Sequence, residues 1–129
     1  MAVRSFQNQD FHDTIIKTLK GIYSRRKDTI EVYINPGQEK NAALHGIYPD
    51  VIVKNQRGYL IFEVETLDSV TEDESNEWSN ISTLGTFYLV VPDSFQEDAS
   101  KLLVKHLLRK TIIITYKLAE SKLVFSKLP

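Results

Sequence analysis

No cysteine occurs in the 129 residues, which excludes disulfide staples and thiolate metal sites and is compatible with a reducing, intracellular setting. Long apolar runs are missing too. None approaches the ~20 residues that a bilayer-crossing helix needs, and the opening Met-Ala-Val-Arg-Ser-Phe-Gln-Asn has no signal-peptide core. The expectation is a soluble, cytoplasmic protein with no membrane partner. A glycine-rich phosphate loop, a zinc pattern and a Ser-His-Asp arrangement are likewise absent, so those chemistries find no support.

The most telling scarcity is local. Residues 58–100 contain no Lys or Arg and 10 Asp or Glu, whereas residues 1–57 carry 9 basic and 6 acidic side chains and residues 101–129 carry 7 and 1. The net charges are +3, −10 and +6 along the chain. An acidic middle between basic ends suits a metal site flanked by phosphate-contacting surfaces, and it equally suits solvated helix faces of opposite sign.

What is present reads as one domain over residues 1–129, long enough to bury a core without staples. Phe11, Ile15, Ile16, Leu19, Ile22 and Tyr23 fall on one stripe, predicting an amphipathic helix over about residues 9–27. Thr29 to Ile34 alternates as a strand and stops at Asn35-Pro36-Gly37, with loop over 36–47. Thr71-x-x-Glu74 and Ser94-x-x-Glu97 are capping-box signatures for two later helices, the second with Ala99, Leu102, Leu103, His106 and Leu107 inward. Between them, Thr86 to Val91 is a continuous apolar run ended by Pro92, the pattern of a strand buried on both faces. Ile112 to Tyr116 and Leu123 to Phe125 supply two last strands, and Trp78 reads as core.

The most informative stretch is Tyr48-Pro49-Asp50-Val51-Ile52-Val53, then Asn55-Gln56-Arg57-Gly58, then Tyr59 to Glu65. Two β-rich runs around a polar, Gly-ended connection predict a hairpin. Symmetric closure pairs residues whose numbers sum to 113, so Asp50 lies opposite Glu63, and alternation puts Glu65 on the same face as Glu63. Opposed like charges are destabilising by roughly 0.2–1 kcal/mol. A divalent cation is the simplest group to offset that.

Pro49-Asp50, twelve intervening residues, then Glu63-x-Glu65 at the end of an apolar strand resembles the motif of the PD-(D/E)xK nuclease superfamily. The element order over roughly residues 9–110 also resembles that family's. The resemblance implies an α/β (α+β) fold with a restriction endonuclease-like α-β-β-β-α-β core, a mixed central sheet flanked by helices. It further implies a divalent-metal-dependent nuclease hydrolysing phosphodiester bonds, DNA before RNA, with Mg²⁺ or Mn²⁺ as cofactor and nucleic acid, and a second copy of the chain, as partners. Asp50 and Glu63 with the Val64 carbonyl would be the metal ligands. The family's lysine position holds Glu65, which would then orient the attacking water as a third catalytic residue beside Asp50 and Glu63. The same departure suits a catalytically degenerate member that binds nucleic acid or protein instead.

Other candidates carry weaker signals. Members of the family place an acidic residue of the first helix near the metal, which points to Asp10, His12 or Asp13, although capping and dipole roles explain such residues as well. Lys17, Lys20, Lys101 and Lys105 are candidate phosphate contacts, against a default of solvated faces. His106, on an apolar face, reads as a packing residue.

Overall fold

The computed structural model describes residues 4–37 and 39–129. Helix α1 (Phe6–Ser24) begins three residues before the predicted start because the Ser5 hydroxyl caps it, accepting from the Asn8 N–H at 3.2 Å. Its buried stripe is His12, Ile15, Ile16, Leu19 and Tyr23. Strands β1 (Thr29–Ile34), β2 (Val51–Asn55) and β3 (Gly58–Val64) form an antiparallel meander. Helix α2 (Glu72–Ile81) carries the chain to β4 (Thr86–Pro92), which lies parallel to β3. A single 3-10 turn (Asp93–Phe95) leads into α3 (Gln96–Lys105), then β5 (Ile112–Ala119), parallel to β4, and β6 (Lys122–Phe125), antiparallel to β5. The result is a mixed six-stranded sheet in sequential order with three helices, the α+β class expected.

The predicted hairpin register holds at every pair, from Asn55 opposite Gly58 to Val51 opposite Phe62. Its turn, Gln56-Arg57, is fixed by the Asn55 Oδ1 accepting from the Arg57 N–H at 2.9 Å and by Gly58 at φ 137°, a conformation other residues adopt only with strain. Close approach explains a second glycine: a Cβ on Gly85 would stand 2.5 Å from the Tyr59 carbonyl oxygen. Each sheet face carries its own core. Val51, Val53, Phe62, Val64 and Val90 pack with α1, while Ile52, Ile61, Leu89 and Val91 pack with Trp78 and Ile81 of α2 and Ala99 and Leu103 of α3. Apolar side chains on both faces make β4 the buried strand its sequence predicted.

Two local expectations are corrected. Ser94 caps nothing: it lies inside the 3-10 turn, where the backbone has already turned helical, and α3 starts at Gln96 without a side-chain cap. Leu107 is not on the inner face of α3 either, because the helix ends at Lys105 and Leu107 adopts φ 57°, leaving its side chain 74% exposed.

Candidate functional site

The register that places Val51 opposite Phe62 brings Asp50 and Glu63 together at the open end of the β2–β3 hairpin, and each side chain is tied to the other's strand. The Asp50 N–H donates to Glu63 Oε1 at 2.8 Å, and the Val64 N–H donates to Asp50 Oδ2 at 2.8 Å. This reciprocal clasp satisfies one oxygen of each carboxylate. Asp50 Oδ1 and Glu63 Oε2 make no hydrogen bond among the described residues. The Pro49-Asp50 corner is itself held by buried Asn35, whose N–H donates to the Asp50 carbonyl at 3.0 Å and whose Nδ2 donates to the Pro49 carbonyl at 2.7 Å. Read in sequence only as a strand stop, Asn35 also accepts from the Asn41 and Ala42 N–H groups, so it docks the 36–47 loop beside the clasp.

Asp50 and Glu63 line a cleft of about 190 Å³ whose other acidic lining residues are Glu39, Glu74 and Glu77 and whose basic ones are Arg4, His12 and Lys40, with Tyr48 also on its wall. Of the three first-helix candidates, His12 is the one in contact with Asp50. Its Nε2 lies 3.1 Å from Asp50 Oδ2, a charge contact without hydrogen-bond alignment, and its Nδ1 lies 3.0 Å from Asp13 Oδ1. Burial alone would lower the imidazole pKa, but the Asp50 carboxylate outweighs it and the pKa stands above the ordinary value. Asp13 supports the ring and also accepts from the Gly37 and Gln9 donors, each at 2.9 Å. Asp10 is exposed on α1 and does not line the cleft.

Glu65 is the wholly buried member of the predicted carboxylate set. β3 ends at Val64, but the Glu65 N–H still donates to the Val90 carbonyl at 2.8 Å, continuing the ladder to β4, and its carboxyl lies near enough to Glu63 and Glu74 to feel their charge. Glu65 is 0% exposed and is not among the residues lining the cleft. Its partner is Arg4, a residue without any signal in the sequence. The guanidinium Nη2 donates to Glu65 Oε1 at 3.2 Å and to the Val64 carbonyl at 3.1 Å, with Ser69 Oγ at 3.4 Å, while Nε donates to Thr66 Oγ1 at 3.2 Å. The Val64 carbonyl, expected as a metal ligand, is therefore already engaged by an internal cation. Glu65 Oε2 is buried with no hydrogen-bond partner among the described residues.

Burial and neighbouring carboxylates raise the pKa of three carboxyls here. Burial first, then the charge of Asp50, pushes the Glu63 carboxyl well above the ordinary carboxylate range, although its bond from the Asp50 N–H opposes this. Burial and then Glu74 and Glu63 do the same to Glu65 against the pull of Arg4. Glu74, displaced upward by burial and by Glu77, was legible only as half of a capping box. The Thr71 hydroxyl does accept from the Glu74 N–H at 3.3 Å, but the Glu74 side chain lines the cleft.

The lysines expected at phosphate lie elsewhere. Lys17 and Lys20 are exposed on α1, Lys101 pairs with Glu97, Lys105 pairs with Glu72, and none of the four lines the cleft. His106 Nε2 lies 2.9 Å from Ser75 Oγ and 3.3 Å from Glu72 Oε1. One ring nitrogen meets both groups, so no relay from acid through imidazole to hydroxyl exists, and the cluster ties α3 to α2.

Among the described residues, no group of three or more His, Cys, Asp or Glu side chains is arranged to hold a metal ion. Mg²⁺ and its substitutes are commonly held by one or two carboxylates, the other positions being filled by water and substrate phosphate. Asp50 and Glu63 both line the cleft, and each keeps one carboxylate oxygen without a hydrogen bond among the described residues. No helix among the described residues is long and apolar enough to cross a membrane. No protein-family model matches this sequence, and no curated protein matches it.

Proposed function

We propose that this protein is a divalent-metal-dependent nuclease that hydrolyses phosphodiester bonds in nucleic acid, DNA before RNA, in the cytoplasm. The observation that carries the reading is the clasp between Asp50, just before β2, and Glu63 on β3, which ties one oxygen of each carboxylate to the backbone and leaves the other without a hydrogen bond among the described residues, both residues lining the cleft. Those two oxygens are the ones that would hold Mg²⁺ or Mn²⁺, and the bound cation would polarise phosphoryl oxygens and lower the pKa of the attacking water. The chain's own part is positional. The two backbone N–H donors hold the carboxylates in the orientation needed before any ligand arrives, and His12 and Asn35 hold Asp50 from its other sides. In the reaction, the oxygen of one water bonds to phosphorus and the bond from phosphorus to the leaving sugar oxygen breaks. That oxygen ends protonated, and the net proton released goes to solvent.

A specific observation favours a second reading, a degenerate member of the same fold that binds nucleic acid or protein. Arg4 already occupies the Val64 carbonyl and neutralises Glu65, and neither is then free for a metal or a water. Cleavage of single-stranded, duplex and branched DNA with Mg²⁺ or Mn²⁺ separates the two. The nuclease reading expects metal-dependent products that disappear in Asp50→Asn and in Glu63→Gln. Intact DNA under all these conditions, with binding unaffected by metal, would favour the binding module.

A further inference from the structure

We propose that Arg4 is the phosphate-holding residue of this cleft: the Nη1 edge of its guanidinium takes a non-bridging oxygen of a phosphodiester lying across Asp50 and Glu63. This inference rests on the reading of the cleft as a phosphodiesterase site.

Four acceptors fix the other side of the guanidinium, namely the Val64 carbonyl, Glu65 Oε1, Ser69 Oγ and Thr66 Oγ1 at 3.1 to 3.4 Å. All of them meet Nε or Nη2. Nη1, with two further N–H donors, makes no hydrogen bond among the described residues, and Arg4 lines the same cleft as Asp50 and Glu63. Its side chain is 8% exposed, so the charge is largely shielded from water, where it acts more strongly than on a surface. With Nε and Nη2 held in place, Nη1 is left as a fixed, charged donor for one phosphate oxygen. An arginine positioned before substrate arrives needs no reorganisation when charge develops on the phosphoryl oxygens.

The arrangement also accounts for Glu65. A lysine at position 65 would carry its own cation on the strand. Here the carboxylate at that position is wholly buried and acts as counter-ion and brace for a cation arriving from 61 residues earlier in the chain. Glu65 is thus a positioning residue that works through Arg4. The other cation on the cleft wall, Lys40, lies 5.6 Å from the Tyr48 ring on the loop side and has no comparable bracing among the described residues.

The test compares wild type with Arg4→Lys, whose single nitrogen can stay paired with Glu65 but leaves nothing in the place of Nη1. A fluorescein-labelled dT8 strand and its uncharged methylphosphonate counterpart are titrated in Ca²⁺, so that affinity is read without turnover, and the Mn²⁺-induced rise in melting temperature is measured in parallel. Arg4→Lys is expected to bind the phosphodiester strand about tenfold more weakly, to bind the methylphosphonate strand like wild type, and to keep the Mn²⁺ response. Glu65→Gln should lose affinity for the charged strand in the same selective way, by a smaller factor. Equal affinities of wild type and Arg4→Lys for the charged strand, with the Mn²⁺ response present, would overturn the role of Arg4 and leave the metal site standing. Absence of any Mn²⁺ response or DNA binding in wild type would instead remove the phosphodiesterase reading and this inference with it. If Arg4→Lys does not fold, Arg4→Met with Glu65→Met supplies the comparison, with discrimination between the two strands expected to vanish.

Discussion

The two ends of the β2–β3 hairpin share strands and register, yet they solve opposite problems. At the turn end, Asn55, Gln56, Arg57 and Gly58 border a groove of about 480 Å³ together with Asp28 and Tyr59. An Asx turn and a glycine at positive φ complete the backbone there. At the open end the cleft is less than half that volume, about 190 Å³, but it is lined by buried Glu63 and by Arg4, which pairs with the buried Glu65. The smaller hollow collects the displaced carboxyls of Glu63 and Glu74 and the displaced imidazole of His12. Concentrated, poorly solvated charge is the better guide to chemistry than space.

If that contrast is correct, damage at the two ends should have different signatures. The largest effect is expected from Arg4→Ala, which leaves Glu65 buried without its cation and should cost about 3–5 kcal/mol. Replacing both partners, Arg4→Met with Glu65→Met, should recover most of it, because the pair's desolvation cost disappears with the pair. Urea denaturation midpoints of the two variants check this. At the turn end, Gly85→Ala forces a Cβ to 2.5 Å from the Tyr59 carbonyl and should cost roughly 1–3 kcal/mol by overpacking. Its Mn²⁺ response should match wild type. A smaller loss, about 1 kcal/mol, is expected for Gly58→Ala at φ 137°.

The acidic end also predicts a pH dependence. Glu63, Glu65 and Glu74 have folded-state pKa values raised above their unfolded values, and His12 does too. A raised folded pKa means that the folded protein holds the proton more tightly. The associated stability is fully present below the unfolded pKa and is lost as pH rises through the folded one. In EDTA, the denaturation midpoint should therefore increase as pH is lowered from 8 toward 5, and Glu63→Gln should flatten that slope. An equal slope in wild type and Glu63→Gln would mean that the buried carboxyl is not its source. A separate loss belongs to alkaline solution. The Tyr23 hydroxyl, donating to the Pro129 carbonyl at 2.8 Å, is pushed up to about 12 by burial. Its contribution is present below pH ~10 and fades as pH rises toward 12, a decline that Tyr23→Phe should remove.

Features set by local pattern were legible in the sequence. Closure symmetry of a two-residue turn gave the register that pairs Asp50 with Glu63, and the apolar run of β4 announced a strand covered on both faces. The features that were not legible depend on contacts between distant segments. Arg4 meets Glu65 across 61 positions and Ser69 across 65, with no periodicity to flag it. That Glu65 is wholly buried against Arg4 instead of lining the cleft has the same origin. Glu74 carries two roles in one residue, since its backbone is capped by Thr71 while its side chain turns to the cleft, and the capping signal hid the second. Ser94 failed for a local reason, the 3-10 turn that follows Pro92.

The central claim is that Asp50 and Glu63 form a divalent-cation site at the open end of the hairpin. Isothermal titration of Mn²⁺ into metal-free wild type and into Asp50→Asn with Glu63→Gln measures it most directly. Saturable binding at a single site per chain in wild type, abolished in the double variant, is the predicted result. No binding in wild type, or the same binding in both proteins, would contradict it.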